Sequence, residues 1–221
     1  MLYKDRIAAG QFLAKELAAY ANRPDVLVLA LPRGGVPVAF EVAKALNAPL
    51  DVFVVRKLGV PDQPELAMGA IATGGVRVLN QDIVRSLRLS ETVISQEEAK
   101  QRQELERRER LYRDNRPFPV LRDRTVIVVD DGLATGATMR AAVMALLTQQ
   151  PARLVVAVPV AAPETCKELE YEVDEIVCTV TPNPFYSVGV WYENFPQTTD
   201  EEVRELLAKA AQKNHESAMP A

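Results

Sequence analysis

Thirteen residues in the middle of the chain constrain its fold more than any other segment. Residues 126–138 read VIVVDDGLATGAT. A run of β-branched residues precedes two adjacent acids, and a loop of small and hydroxylated residues follows. Apolar side chains then recur at helical spacing in Met139, Val143, Leu146 and Leu147. This order predicts a buried parallel strand, a tight turn and the N-terminus of a helix.

The loop in this segment has the properties of an anion-binding site. No bulky side chain lies between Ala134 and Thr138, so backbone N–H groups can approach a phosphate. The hydroxyls of Thr135 and Thr138 can donate to it, and the helix dipole favours negative charge at the same place. Asp130 and Asp131, just before the loop, suit a ligand that carries vicinal hydroxyls or a divalent cation beside its phosphate. A sugar phosphate meets this description.

Strand-like and helix-like segments alternate along the chain, which favours a parallel sheet covered by helices on both faces. The predicted strands are residues 26–31, 50–55, 126–129, 154–160 and 175–180. We therefore expect one α/β domain over residues 1–221, with about five parallel strands. A helical insertion is expected at about residues 80–122, and a C-terminal cap at about 181–221.

At residues 126–138 the chain resembles the type I phosphoribosyltransferases. Their signature is a hydrophobic strand, an Asp/Glu-Asp pair, two variable residues and a short Thr/Gly loop that binds the 5-phosphate of phosphoribosyl pyrophosphate. The resemblance implies that Asp130 and Asp131 hold the ribose hydroxyls. It also implies Mg²⁺ as cofactor, held near these acids through ligand oxygens or water. The implied phosphate-binding residues are Ala134, Thr135, Gly136, Ala137 and Thr138. The alternative is that the acids only end a strand and Thr138 only caps a helix.

A second part of the resemblance lies after the first predicted strand. Ligands of open α/β sheets bind beyond the carboxyl ends of the strands, so this loop should approach residues 130–138. Here Arg33, Gly34 and Gly35 resemble the pyrophosphate loop of the family, which often contains an unusual cis peptide. Arg33 would act in catalysis, and the glycines would allow close approach of the substrate. A plain strand-to-helix turn is the alternative.

The third part of the resemblance follows the second predicted strand. Arg56 and Lys57 resemble the basic position that faces pyrophosphate in the family, with Arg56 binding substrate and Lys57 acting in catalysis. Residues 56–69 are rich in Gly and Pro, and we predict a mobile lid without regular structure. A hairpin is predicted around Gly74-Gly75. A solvated strand end is the alternative reading of the two basic residues.

Two segments have no firm assignment from the sequence. In the family a variable hood supplies the acceptor pocket, and the candidates here are Phe185, Tyr186, Trp191 and Tyr192. The same aromatic residues could instead form a core-facing edge strand. The Glu/Arg-rich helix at residues 96–112, with a capping box at 95–98, is predicted to be a solvated insertion. A hood contact and a contact between copies of the chain are the alternatives.

Composition narrows the class of protein. A net charge of -4 argues against a dedicated nucleic-acid surface. The apolar runs are too short to span a bilayer, which favours a cytoplasmic protein without a membrane partner. Cys166 and Cys178 have no metal-binding spacing, and Cys178 is predicted to be a small core residue. His215 is the single histidine and lies in a polar tail, so a Ser-His-Asp or Cys-His site has no base.

The predicted function is Mg²⁺-dependent transfer of a 5-phosphoribosyl group from phosphoribosyl pyrophosphate to a small nitrogenous acceptor, with release of pyrophosphate. A nucleobase is the favoured acceptor, which places the reaction in nucleotide metabolism. One alternative is a regulatory protein that senses phosphoribosyl pyrophosphate and uses the basic region at residues 107–116 to bind a macromolecule. Another is a hydrolase that acts on a sugar phosphate at the same site.

The residue at position 134 predicts which acceptors the chain uses poorly. Relatives that use hypoxanthine or guanine carry an acid in this part of the loop, where it can accept a proton from a purine nitrogen. Ala134 offers only a methyl group. A turnover assay with phosphoribosyl pyrophosphate and Mg²⁺ can compare hypoxanthine, guanine, adenine, orotate and uracil as acceptors. We expect hypoxanthine and guanine to be poor acceptors in this assay. Efficient turnover of hypoxanthine or guanine would contradict this reading of Ala134.

Overall fold

Eight strands form two sheets in the computed structural model, which describes residues 2–114 and 116–218 apart from the side chains of residues 65 and 213–218. In chain order the strands are β1 (Val26–Ala30), β2 (Leu50–Val52), β3 (Val55–Val60), β4 (Gln63–Ala72), β5 (Val76–Leu79), β6 (Thr125–Val129), β7 (Arg153–Val160) and β8 (Glu175–Val180). The expected solvated position of His215 falls on side chains outside this description.

Seven α-helices accompany the strands in the described ranges. They are α1 (Arg6–Glu16), α2 (Gly35–Leu46), α3 (Gln81–Ser86), α4 (Glu91–Arg113), α5 (Ala137–Leu147), α6 (Pro163–Leu169) and α7 (Asp200–Ala218). Short 3₁₀ turns add Ala18–Tyr20 and Gly189–Trp191. None of these helices is both long and apolar enough to cross a membrane.

The central sheet confirms the expected α/β class. Its five parallel strands lie in the order β2-β1-β6-β7-β8. Every residue of β1 and β6 is buried, because both faces of these strands are covered. Along β1, Val26 and Val28 pack in the apolar cluster shared with α1, α2 and α7, whereas Leu27 and Leu29 pack in the cluster shared with α5 and α6. The carboxyl ends of β1 and β6 therefore meet at one edge of a rigid sheet.

The second predicted strand is split between two sheets. Strand β2 ends at Val52, and the chain then passes from the parallel sheet to the antiparallel β3-β4-β5 sheet. The backbone N–H of Phe53 donates to Ala30 on β1, whereas that of Val54 donates to the Thr73 hydroxyl at 3.0 Å. Phe53 and Val54 are both buried, so one apolar run supplies residues to both sheets. Hydrophobicity alone does not mark where the chain changes sheet.

The predicted lid at residues 56–69 is wrong as a segment without regular structure. It forms most of the β3-β4 hairpin, in which Leu58 and Met68 are fully buried. The pairing register shifts on both sides of Gly59, and a Cβ at that position would lie 2.8 Å from the carbonyl oxygen of Pro64. Glycine and proline here accompany a bulge, where the ladder is interrupted. The hairpin predicted around Gly74-Gly75 is confirmed between β4 and β5.

Helix α4 is longer and better packed than the predicted solvated insertion. It begins after Ser90, whose hydroxyl accepts a hydrogen bond from the Val93 amide, so the expected capping box at residues 95–98 is wrong. Ile94, Leu105 and Tyr112 are buried against the hairpin and α7. At the start of α7, the hydroxyl of Thr199 accepts a hydrogen bond from the amide of Glu202.

The two cysteines are joined. Cys166 on α6 and Cys178 on β8 form a disulfide with a Cα–Cα distance of 6.6 Å. The reading of Cys178 as only a small core residue is therefore wrong, although both residues still pack beside the core. They lie twelve positions apart in the sequence, and the turn from α6 into β8 brings them together.

A buried ion pair predicts how strongly α4 is tied to the sheet. Arg113 lies 3.1 Å from Asp51 on β2, and both side chains are largely buried. Arg113→Ala would leave the carboxylate buried without its partner, and we expect a loss of about 3 kcal/mol in the free energy of unfolding. The control is Arg110→Ala, which removes an exposed pair with Glu106 and should cost no more than about 0.5 kcal/mol. Denaturant titration measures both variants, and equal losses would refute a structural role for Arg113.

Candidate active site

Two segments of the candidate site are in close contact. The loop at residues 32–35, called the arginine-glycine loop, packs against Asp130 and Asp131, called the acid pair. A Cβ added to Gly34 would lie 2.0 Å from a carboxylate oxygen of Asp131. A Cβ on Gly35 would lie 2.7 Å from the backbone oxygen of Val129. Only glycine permits this approach. The peptide bond between Pro32 and Arg33 is cis, as the resemblance implies for this loop.

Asp131 is held by an arginine from near the N-terminus of the chain. Arg6, at the start of α1, places Nε and an Nη atom each 2.8 Å from the same oxygen of Asp131. The Arg6 guanidinium also stacks on the ring of Phe195, 3.8 Å from its centroid, and donates to the backbone oxygen of Pro196. The hydroxyl of Tyr192 donates to the backbone oxygen of Asp131. These contacts fix both the side chain and the backbone of Asp131.

The acid pair is electrostatically unusual. Burial raises the pKa of the Asp130 carboxyl well above its ordinary value, and the neighbouring Asp131 raises it further. Burial also raises the pKa of Asp131, although Arg6 opposes that shift. The backbone N–H of Asp131 donates to the Asp130 carboxylate at 2.8 Å. Two carboxyls that are costly to ionise suit partners that supply hydroxyl protons or positive charge.

The phosphate loop (residues 134–138) connects β6 to α5. Gly136 adopts a φ of +70°, and a Cβ there would lie 2.6 Å from the methyl group of Thr165 on α6. The Thr165 hydroxyl donates to the backbone oxygen of Ala134 at 2.6 Å. Arg140 donates to the backbone oxygen of Thr135 and is paired with two glutamates of the α6 region. Helix α6 thus packs against one side of the loop, while Thr135 and Thr138 face solvent.

A cleft of about 580 Å³ opens beside the phosphate loop. Thr135 and Thr138 line one side, and Arg56 and Lys57 of β3 line another. The third side is α4, through Glu97, Gln101 and Arg108. The side chain of Gln101 accepts two hydrogen bonds from Arg56, at 3.0 and 2.7 Å. The structure therefore brings Arg56, Lys57 and the phosphate loop to one space, and adds α4 to it.

Arg33 points to the rim of this site. Its guanidinium lies 3.7 Å from Asp200, the first residue of α7. Asp200 also accepts a hydrogen bond from the Tyr112 hydroxyl and lies 3.8 Å from Arg107. Arg33 is thus turned toward α4 and α7, while its backbone stays beside the acid pair.

The four aromatic candidates of the hood segment (residues 181–196) have different environments. Tyr192 is buried and packs with Tyr3, and Phe185 and Trp191 pack against the same cluster. Tyr186 is 79% exposed. No regular strand forms across these residues, so the predicted edge strand is wrong. Three of the four rings nevertheless pack against a core cluster, as that alternative expected.

The described side chains also show how far the protein itself could hold Mg²⁺. Within the described parts of the chain, no three His, Cys, Asp or Glu side chains gather as a metal-binding group. The acid pair is the nearest approach to one, with Asp131 already paired to Arg6. This arrangement fits an ion that takes most of its ligands from phosphate oxygens and water, as Mg²⁺ commonly does.

Several residues of the site could not be selected from the sequence. Arg6, Asp200 and Thr165 reach the site from α1, α7 and α6, and no motif marks them. Gln101 and Arg108 lie in a helix whose Glu/Arg pattern is typical of a solvated face. The signal that was available is their spacing of seven residues, which places both on one face of α4.

The chain is similar in sequence to known proteins over most of its length. A sequence model described as the phosphoribosyl transferase domain matches residues 2–193. Two relatives from Mycobacterium tuberculosis strains, named "Putative phosphoribosyl transferase Rv0571c" and "Putative phosphoribosyl transferase MT0597", are each 49% identical over 209 residues. The match covers 95% of this chain and 47% of each relative, so the chain spans about half their length.

Among the solved structures that resemble this chain is one with high sequence identity. The crystal structure of TT1426 from Thermus thermophilus is 42% identical in sequence and superposes with a TM-score of 0.87. The match covers 95% of this chain and 99% of that one. The two proteins therefore share one fold over nearly their whole length.

The raised pKa of Asp130 predicts an unusual pH dependence of stability. A carboxyl whose pKa is raised by folding stabilises the protein below the ordinary carboxyl range, and this contribution is lost as pH rises through the raised value. Asp130→Asn keeps an acceptor for the Asp131 amide and removes the charge. We expect the variant to be more stable than the parent at pH 7 to 8 by about 0.5 to 2 kcal/mol.

Denaturant titration across pH measures this effect, with Glu170→Gln as the control for an exposed carboxylate. The gain should shrink as the pH is lowered, because Asp130 then becomes neutral in the parent as well. A gain that grows toward acid, or none at neutral pH, would contradict the cost assigned to ionising Asp130.

Proposed function

Because the chain belongs to the phosphoribosyl transferase domain family, we propose that it transfers a 5-phosphoribosyl group from phosphoribosyl pyrophosphate to a nitrogenous acceptor and releases pyrophosphate. One observation carries the proposal: the arginine-glycine loop, the acid pair and the phosphate loop converge at the carboxyl ends of β1 and β6, with Gly34 packed on Asp131. This is the edge at which parallel α/β sheets bind ligands.

Each part of the site has a proposed role toward one part of the substrate. The phosphate loop binds the 5-phosphate through its backbone amides and the hydroxyls of Thr135 and Thr138. Asp130 and Asp131 accept hydrogen bonds from the ribose hydroxyls. Gly34 and Gly35 let the backbone approach the pyrophosphate. Arg56 and Lys57 line the cleft and face the charge of the pyrophosphate. Arg33, which is paired with Asp200 in the structure, would turn from that pair to join them.

The reaction breaks the bond between ribose C1 and a pyrophosphate oxygen and forms a bond from C1 to the acceptor nitrogen. The bonding electrons leave with pyrophosphate, so negative charge grows on the leaving group while the ribose gains positive character. Arg56 and Lys57 stabilise the negative charge on the leaving group, and the buried carboxylates stabilise the positive character of the ribose. Arg6 keeps Asp131 oriented, which lowers the cost of aligning the ribose for in-line attack. Bound Mg²⁺ would neutralise further charge on pyrophosphate.

A nucleobase is the proposed acceptor class, which places the reaction in nucleotide metabolism. Phe185, Trp191 and Tyr192 pack against the Tyr3 cluster and shape the hood rather than offer free faces. Tyr186 is the exposed ring on this segment and is the proposed stacking residue. Because Ala134 supplies no acid, an acceptor that is already nucleophilic suits the site.

Two measurements on the same protein test the proposal. The parent should bind phosphoribosyl pyrophosphate with Mg²⁺ in calorimetry, and should release pyrophosphate only when a base from a panel is added. The double variant Asp130→Asn, Asp131→Asn should retain the fold and lose binding by at least about a hundredfold, because two charged acceptors of the ribose diol are removed. Unchanged affinity would refute the assignment of the acid pair.

The same assay separates the alternative functions. Binding without pyrophosphate release for any base would favour a regulatory protein that senses phosphoribosyl pyrophosphate. Release that does not depend on an added base would favour a hydrolase. Either result would leave the ligand site in place and replace the proposed transfer reaction.

A further inference from the structure

We propose that Arg108 of helix α4 binds the pyrophosphate group of the substrate, so that the insertion supplies a cation to the active site. The inference rests on the proposed function and deepens it, because it assigns a substrate contact to a segment outside the motifs that define the site. Its basis is the position of one helix face, the positive charges around the cleft and the ion pairs of Arg108.

One face of α4 forms a wall of the cleft. Glu97, Gln101 and Arg108 line it, at spacings of four and seven residues that place them on the same side of a helix. Ile94 and Leu105 are buried and fix this helix against the rest of the protein. Arg108 is 26% exposed, which leaves its guanidinium accessible from the cleft.

Arg108 shares the cleft with two further cations, together with Glu97 in the wall and Glu104 as its own partner. Arg56 and Lys57 stand on β3 on another side of the cleft, and Gln101 holds Arg56 in place. Burial lowers the pKa of Arg56, and the positive charge of Arg108 lowers it further. The pKa of Tyr112 is raised mainly by burial, while Arg108 and Arg33 both oppose that shift. Arg108 therefore lines the same cleft as the β3 cations and Pro32 of the arginine-glycine loop.

The carboxylate next to Arg108 explains how this cation is held before substrate binds. Nε of Arg108 donates to Glu104 at 2.6 Å, and Arg107 donates to both oxygens of the same carboxylate, at 2.8 and 3.1 Å. Hydrogen bonds from Arg107 and Arg108 lower the pKa of Glu104 to about 2, so it is ionised at neutral pH. An incoming phosphate oxygen can take Arg108 while Arg107 remains with Glu104. The site then exchanges one anionic partner for another without leaving a charge unpaired.

The cleft has room for the group that we assign to it. Its volume of about 580 Å³ exceeds what a pyrophosphate needs, and the walls at Thr135 and Thr138 continue into the phosphate loop. A guanidinium presents two parallel N–H donors to phosphate oxygens, which an amide or ammonium group does not. Because Thr135 and Thr138 on another wall are assigned to the 5-phosphate, Arg108 is assigned to the pyrophosphate, and its loss should affect ligands that carry pyrophosphate more than ribose 5-phosphate.

Calorimetry on the full chain with Mg²⁺ tests the inference, with pyrophosphate, phosphoribosyl pyrophosphate and ribose 5-phosphate as three separate probes. Arg108→Gln should raise the dissociation constants of the first two by about tenfold to a hundredfold and leave that of ribose 5-phosphate within about twofold. Arg108→Lys should recover part of the loss. The matched control is Arg110→Gln on the same helix, where a 73% exposed side chain pairs with Glu106.

The outcomes separate this inference from the proposed function. A parent that binds phosphoribosyl pyrophosphate, with an Arg108→Gln variant that binds it equally well, overturns the role of Arg108 alone. An equal loss for all three probes also overturns it, because a general disturbance of the cleft would then explain the result. Glu104→Gln provides an independent check, since freeing Arg108 from its carboxylate should maintain or tighten pyrophosphate binding. A parent that binds none of the probes overturns both proposals.

Discussion

The burial of two adjacent carboxyls at the end of β6 organises the whole site. Carboxylates in such a place are costly to ionise, and both have raised pKa values. Contacts from distant parts of the chain surround Asp131, and Arg6 offsets part of the cost. Arg6 comes from α1, Gly34 from the loop after β1 and Tyr192 from the hood segment. The N-terminal helix, the sheet and the hood must therefore assemble together before Asp131 has its observed surroundings.

The cations of the site show the complementary arrangement. Arg33 is paired with Asp200, Arg108 with Glu104, and Arg56 is held by the amide of Gln101. Each partner holds a positive side chain at or near the cleft. These non-covalent contacts can be exchanged for contacts to a ligand. A pre-organised group of this kind loses little conformational entropy when a phosphorylated ligand arrives. Under the proposed function, helices α4 and α7 would support ligand binding as well as stability.

The antiparallel hairpin and α4 form a folded wall in the place where the sequence predicted a lid without regular structure. A segment without regular structure would have to order itself over the ligand, at a cost in conformational entropy. Strands β3 and β4 are instead paired, with Leu58 and Met68 buried, and α4 packs across them. Arg56 and Lys57 are consequently presented by a folded wall, and any adjustment on ligand binding would involve the hairpin as a unit.

The sequence by itself determined the α/β class, the parallel strands and the local parts of the site. The run at residues 126–138 specifies a buried strand, a tight turn and a helix start because each of these depends on neighbouring residues, and the structure agrees with these three elements. Anion binding by the loop stays a prediction. The change of sheet after Val52 and the hairpin at residues 56–69 depended on pairing between distant segments, which local hydrophobicity does not encode. The same holds for Arg6 beside Asp131, Arg33 beside Asp200 and Arg108 in the cleft. Their environments are set by packing of elements far apart in sequence, so only the tertiary structure decided which charged side chains reach the site.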